Sequence, residues 1–87
     1  MALDQIKTEL ENIVQDLGLK SAKVKVEQNR RWVHVQIVSE DFRNKSPGER
    51  ENLIWRGFER HFDDETILSI TQCYLLTPEE RAELSAA

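Results

Sequence analysis

The chain has 87 residues, 39% of them hydrophobic and 32% charged, and a formal net charge of −4. That length supports one domain with a small core and leaves no room for a deep cleft between domains. No apolar run approaches the roughly 20 residues that cross a bilayer, the start of the chain lacks the hydrophobic stretch of a secretory leader, and the lone Cys73 excludes an internal disulfide or a Cys-rich metal site. Cytoplasmic residence without a membrane partner is the expectation.

Leu3, Ile6, Leu10, Ile13 and Leu17 recur at steps of three and four, the stripe of an amphipathic helix. Gly18 stands where a left-handed residue closes such a helix. Ala22, Val24 and Val26 alternate with Lys23, Lys25 and Glu27, which predicts a strand with one wet face. Residues 28–31 read as a hairpin turn without the Asn-Gly signal. The return strand, residues 32–38, places Val33, Val35 and Ile37 on its apolar face and Trp32, His34 and Gln36 on the other. Residues 39–42 suggest a brief helical turn, with Asn44 at a position of positive φ. Ser46, Pro47 and Glu49 then fit the N-cap, first and third positions of a longer helix, whose apolar face is Ile54, Phe58 and Phe62 with Trp55. Asp63, Asp64 and Glu65 interrupt the pattern. Residues 66–76 are predicted as a third strand, parallel to the second through a right-handed helical crossover. Thr77, Pro78 and Glu80 repeat the capping logic and open a terminal helix through Arg81 and Leu84.

The fold class is therefore α+β, in the order α-β-β-α-α-β-α, with a three-stranded mixed sheet covered by helices. This order is similar to that of BolA-like proteins, whose topology is close to the class II KH fold. The resemblance is carried by Ile37-Val38-Ser39, Phe42, Lys45-Ser46, Arg50 and Thr77-Pro78-Glu79-Glu80, and extends over nearly the whole chain. It implies a non-enzymatic interaction module that shares an iron–sulfur cluster with a monothiol glutaredoxin. The implied histidine ligand near the start of the last strand falls at Leu68 or Ser69, and the hairpin loop that supplies a second His or Cys in many relatives is Gln28-Asn29-Arg30-Arg31 here. None of these side chains binds iron. Asn44 replaces the usual glycine before Lys-Ser, and Glu51-Asn52 replace a His-Arg pair.

Other chemistry is sparse. His34, His61 and Cys73 lack metal-ligand spacing, and Asp63-Asp64-Glu65 lacks the alternation of a calcium loop. No motif assembles a nucleophile with a base, so an enzyme is not expected and no cofactor is assigned. Cys73 is read as a small buried hydrophobe ahead of a reactive thiol. Residues 20–31 and 43–60 are locally basic within an acidic chain. The segment 42–50 resembles a helix-turn-helix, so nucleic acid is the alternative partner to protein, with weak and salt-dependent contacts from Arg43, Lys45, Arg50 and Arg56, joined by Lys23, Lys25, Arg30 and Arg31 if these lie on the same side. Trp32, beside Lys23, Lys25 and His34 on the wet face, is either an anchor for a protein partner or covered by the terminal helix. The candidate surface is thus Lys23, Lys25, Trp32, His34, Arg43, Lys45, Arg50, Arg56 and Cys73.

Overall fold

The computed structural model describes residues 2–86. Helix α1, Leu3–Asp16, buries Ile6, Leu10, Ile13 and Val14. Gly18 adopts φ +70° just past its end, the conformation that costs a glycine least. Strands β1, Lys23–Asn29, and β2, Trp32–Val38, pair antiparallel from Lys23 opposite Val38 to Asn29 opposite Trp32. The turn is consequently only Arg30-Arg31, shorter than the predicted four residues, and Arg30 sits at φ +59°. Gln28 and Asn29 belong to the ladder because Val33 and Trp32 supply cross-strand partners that the local sequence does not announce.

Ser39 leaves β2 fully buried and orders the next segment. Its hydroxyl donates to the Lys20 carbonyl at 3.2 Å and accepts from the Asp41 amide at 3.2 Å, while the Lys20 amide donates to Asp41 Oδ2 at 2.8 Å. A 3-10 turn, Glu40–Phe42, drops Phe42 into the core, and Asn44 takes the expected positive φ, +69°. Helix α2, Pro47–His61, begins at the predicted capping box: the Glu49 amide donates to Ser46 Oγ at 3.2 Å and the Ser46 amide to Glu49 Oε1 at 3.0 Å. Its far end is tied to α1, since the His61 ring meets Glu9 Oε2 through Nδ1 at 3.1 Å and Asp16 Oδ2 through Nε2 at 2.8 Å.

The third strand is shorter than predicted. Residues 64–69 form helix α3, Asp64–Ser69, and β3 runs only from Ile70 to Leu76. Asp63 caps α3 by accepting the Thr66 amide at 2.8 Å, and Thr66 is buried. That local bond outweighs the strand propensity of Thr66 and Ile67, because an aspartate N-cap contributes on the order of 1 kcal/mol and propensities are weak priors. β3 pairs parallel to β2, as the helical crossover predicts, and the strand order is β1-β2-β3. Helix α4, Pro78–Ala86, starts where the second capping box places it, with the Thr77 amide donating to Glu80 Oε1 at 2.8 Å.

Ile6, Leu10 and Ile13, the core face of β2, Phe42, Ile54 and Phe58 form one buried cluster. Each such large side chain contributes about 2 kcal/mol through removal from water. α1 and α2 approach closely at Gly57, where a Cβ would overlap Cγ2 of Ile13. No helix among the described residues is long and apolar enough to cross a membrane.

Candidate partner-binding surface

The hairpin turn, the N-terminal half of α1 and helix α3 converge at one end of the sheet around an open cleft of about 610 Å³. Trp32 lines it from β2 and Leu68 from α3, at 39% and 76% exposure, and Ile6 and Val33 form the floor. The Arg31 guanidinium lies 4.4 Å from the centre of the Trp32 ring, a cation–π contact that holds the indole in place. Asp63 and Glu65 lie along the α3 rim. Since the lining comes from α1, the hairpin and α3, Trp32 is left uncovered by α4. Exposed aromatic and aliphatic side chains beside an arginine have the composition of an interface anchor.

This cleft joins two places that are far apart in the sequence. Gln28 and Arg31 of the hairpin face Leu68 and Ser69 of α3 across it, so the two ligand positions implied by the BolA resemblance do meet in space. The donors there do not fit an iron–sulfur cluster, because neither pair supplies a thiolate or an imidazole. Cys73 does not supply one either. It lies opposite Val35 on the helix-facing side of the sheet, half-buried against the core, and burial, aided by the charge of Glu51, pushes its thiol up to about 12. A thiol that far from ionisation is neither nucleophile nor ready ligand at neutral pH.

The remaining predicted surface residues do not form one patch. Lys23 and Lys25 are exposed on β1 and His34 is half-buried on β2, all on the open side of the sheet, where His34, Gln36, Gln72 and Tyr74 line a shallow hollow of about 140 Å³. Lys25 pairs with Glu27 at 3.1 Å. Arg43 is engaged by Glu40 and, at 3.0 Å, by Glu79, which raises its pKa further above that of a free arginine. Lys45 is half-exposed in the turn before α2, and Arg56 is exposed on α2.

Arg50 corrects the sequence reading. As a contact for phosphate or partner it would have to reach solvent, yet it is 9% exposed and makes three internal bonds. Nε donates to the Lys45 carbonyl at 3.0 Å, and Nη1 to the Leu75 carbonyl at 3.0 Å and to Glu80 Oε1 at 2.7 Å. It also lies over the Phe42 ring at 5.8 Å. Arg50 therefore fastens α2 to β3 and to the start of α4. Sequence reasoning missed Leu68 as a surface residue and named Arg31 only as a contact for nucleic acid; the aspartate three positions before Thr66 was the one local signal that α3, and with it Leu68, would leave the sheet.

The fold defined by these elements is BolA-like, in both element order and mixed sheet. A crystal structure of a Bol-like protein from Babesia bovis is similar over 91% of this chain and 92% of that one, with a TM-score of 0.56 and 19% sequence identity. No family model matches the sequence. No curated protein matches it either.

Proposed function

We propose that this chain is a small, non-enzymatic regulatory module that binds a protein partner through the cleft at Trp32 and Leu68. The observation that carries this reading is the pair of exposed apolar side chains, one aromatic and braced by Arg31, at the end of the sheet where the BolA resemblance implies partner contact. A monothiol glutaredoxin is the partner class the resemblance suggests. Because Leu68 and Ser69 replace the implied histidine, this chain contributes no cluster ligand, and docking rests on apolar contact. Burial of Arg50 and pairing of Arg43 weigh against nucleic acid, since both cations are already committed within the fold.

The test is an NMR titration of isotope-labelled protein with a monothiol glutaredoxin, apo and cluster-loaded. Amide shifts centred on Trp32, Leu68 and Ser69 are expected, with Trp32→Ala weakening the complex by about 30-fold or more and leaving the thermal midpoint nearly unchanged. A flat spectrum rules out this partner class, and an absorbing cluster ligated by this chain overturns the ligand-free mode.

A further inference from the structure

The cleft at Trp32 and Leu68 carries opposite charges on its two walls. On the hairpin wall, the Arg31 guanidinium stacks over the Trp32 ring at 4.4 Å. Stacking occupies only the face of that planar group, so its N–H edge stays available to a carboxylate. The hairpin does not supply one, because its single acid, Glu27, is paired with Lys25 at 3.1 Å. Arg30 adds a second exposed cation to the same turn. On the α3 wall, Asp63 and Glu65 line the cleft and are exposed. Asp63 accepts the Thr66 amide through Oδ1 at 2.8 Å, and neither carboxylate meets a cation among the described residues. Other exposed arginines and lysines of the fold find local partners, as Arg43 does with Glu40 and Glu79 and Lys25 with Glu27. Around this cleft both signs are present and unpaired.

We propose that the cleft takes a partner segment in which apolar side chains are flanked by a carboxylate on one side and by a lysine or arginine on the other, the carboxylate meeting Arg31 and the cation meeting Glu65 and Asp63. A partner that covers Trp32 and Leu68 also strips water from these walls, and a charge left covered without a counter-charge opposes binding. A wholly apolar segment leaves both walls unpaired, and a uniformly charged one sets like charges together at one of them. The apolar contact then supplies affinity, and the two walls supply orientation and choice of partner. The inference deepens the protein-partner reading and rests on it in that the occupant is a polypeptide.

The probes are three blocked hexapeptides built on Ser-Leu-Leu-Ser, with glutamate at one end and lysine at the other, lysine at both ends, or glutamate at both. Each is titrated into the isotope-labelled, full-length chain at about 0.1 M salt, where a screening length of about 10 Å damps the overall charge and spares a contact pair. The mixed peptide is expected to shift the Trp32 indole and the Leu68 amide, and to bind about threefold or more tightly than either uniform peptide, the size of an exposed ion pair. Attraction to the net charge of −4 alone would rank the dilysine peptide first, and that order overturns the proposal. Glu65→Lys is expected to move the preference to the diglutamate peptide, and Arg31→Gln to bring the dilysine peptide level with the mixed one. Both side chains are exposed, so the thermal midpoint should hold in each variant. An unchanged order in Glu65→Lys, no shift at Trp32 or Leu68 with any peptide at millimolar concentration, or shifts that grow with protein concentration alone, the mark of a second copy in the cleft, each sinks it. Shifts at Trp32 and Leu68 with glutaredoxin but no preference for the mixed peptide would remove the polarity and leave the partner reading standing; the converse pattern would keep the polarity and remove that partner.

Discussion

Arg50 meets three acceptors that lie 5, 25 and 30 residues away in the sequence, and each would be left without its partner if the side chain were removed. Arg50→Ala exposes that dependence: the Leu75 carbonyl is buried and Glu80 loses its cation, so a loss of about 3 kcal/mol is expected in urea unfolding. Arg50→Lys retains the charge but not the planar fork, and should lose about half as much. Lys45→Glu, at a half-exposed side chain with no such bonds, should leave stability within about 0.5 kcal/mol. Equal effects at the two positions would show that Arg50 is not a fastener. Nothing local in Pro47-Gly48-Glu49-Arg50 distinguishes a buried arginine from a solvated one, because the distinction is made by β3 and α4 arriving from the other half of the chain. Trp32 was half legible for the same reason: alternation assigned it to the wet face, but only the packing leaves it clear of α4 and puts Arg31 upon it.

The elements that carry their own punctuation were legible: both capping boxes, the left-handed Gly18 and Asn44, and the alternation of β2 all depend on contacts within four residues. α3 was not, because Thr66-Ile67-Leu68 favours a strand by composition and the Asp63 cap decides otherwise. These caps make the fold acid-sensitive. Glu80 accepts the Thr77 amide and the Arg50 guanidinium, Glu49 accepts the Ser46 amide, and Asp63 accepts from Thr66, which holds all three carboxyls below their usual ranges. A depressed folded-state pKa means that the folded chain binds fewer protons than the unfolded one, so the stabilisation is complete above about pH 4.3 and is lost as pH falls through the folded values. Urea midpoints should therefore fall below about pH 4, and the Glu80→Gln variant, less stable at neutral pH, should converge with the parent by about pH 2. Parallel curves would remove Glu80 from the acid response. Helix packing makes a separate demand at Gly57. Alanine there is the better helix former by about 1 kcal/mol, yet its methyl overlaps Cγ2 of the fully buried Ile13, so Gly57→Ala should cost about 2 kcal/mol net. Adding Ile13→Leu moves the branch away from Cβ, and a double-mutant cycle should return part of that loss. A stabilising Gly57→Ala would show that α1 and α2 have room to separate.

At the scale of the whole molecule, charge decides between partner classes. The chain is acidic by four units, and its cations are dispersed: Lys23 and Lys25 lie on the open side of the sheet, Arg43 is held by two glutamates, Arg50 is buried, Lys45 lies in the turn before α2 and Arg56 on α2 itself. Arg56 follows Arg50 by six residues, which at about 100° per residue places it roughly 120° around the helix, away from the face that meets β3. Nucleic acid following the helix-turn-helix segment would then neutralise about two phosphates. For a single strand the logarithm of affinity should fall with the logarithm of salt at a slope near −1.5, against about −5 for a groove of seven cations. Fluorescence anisotropy with a labelled single-stranded oligonucleotide, read from low to physiological salt, measures this directly. The expected result is a shallow slope and dissociation constants weaker than about 10⁻⁴ M at physiological salt. A steep slope with micromolar binding would mean that the scattered cations are gathered by the ligand itself, and would move nucleic acid ahead of protein. A shallow one leaves the exposed pair Trp32 and Leu68 as the proposed surface for a protein partner.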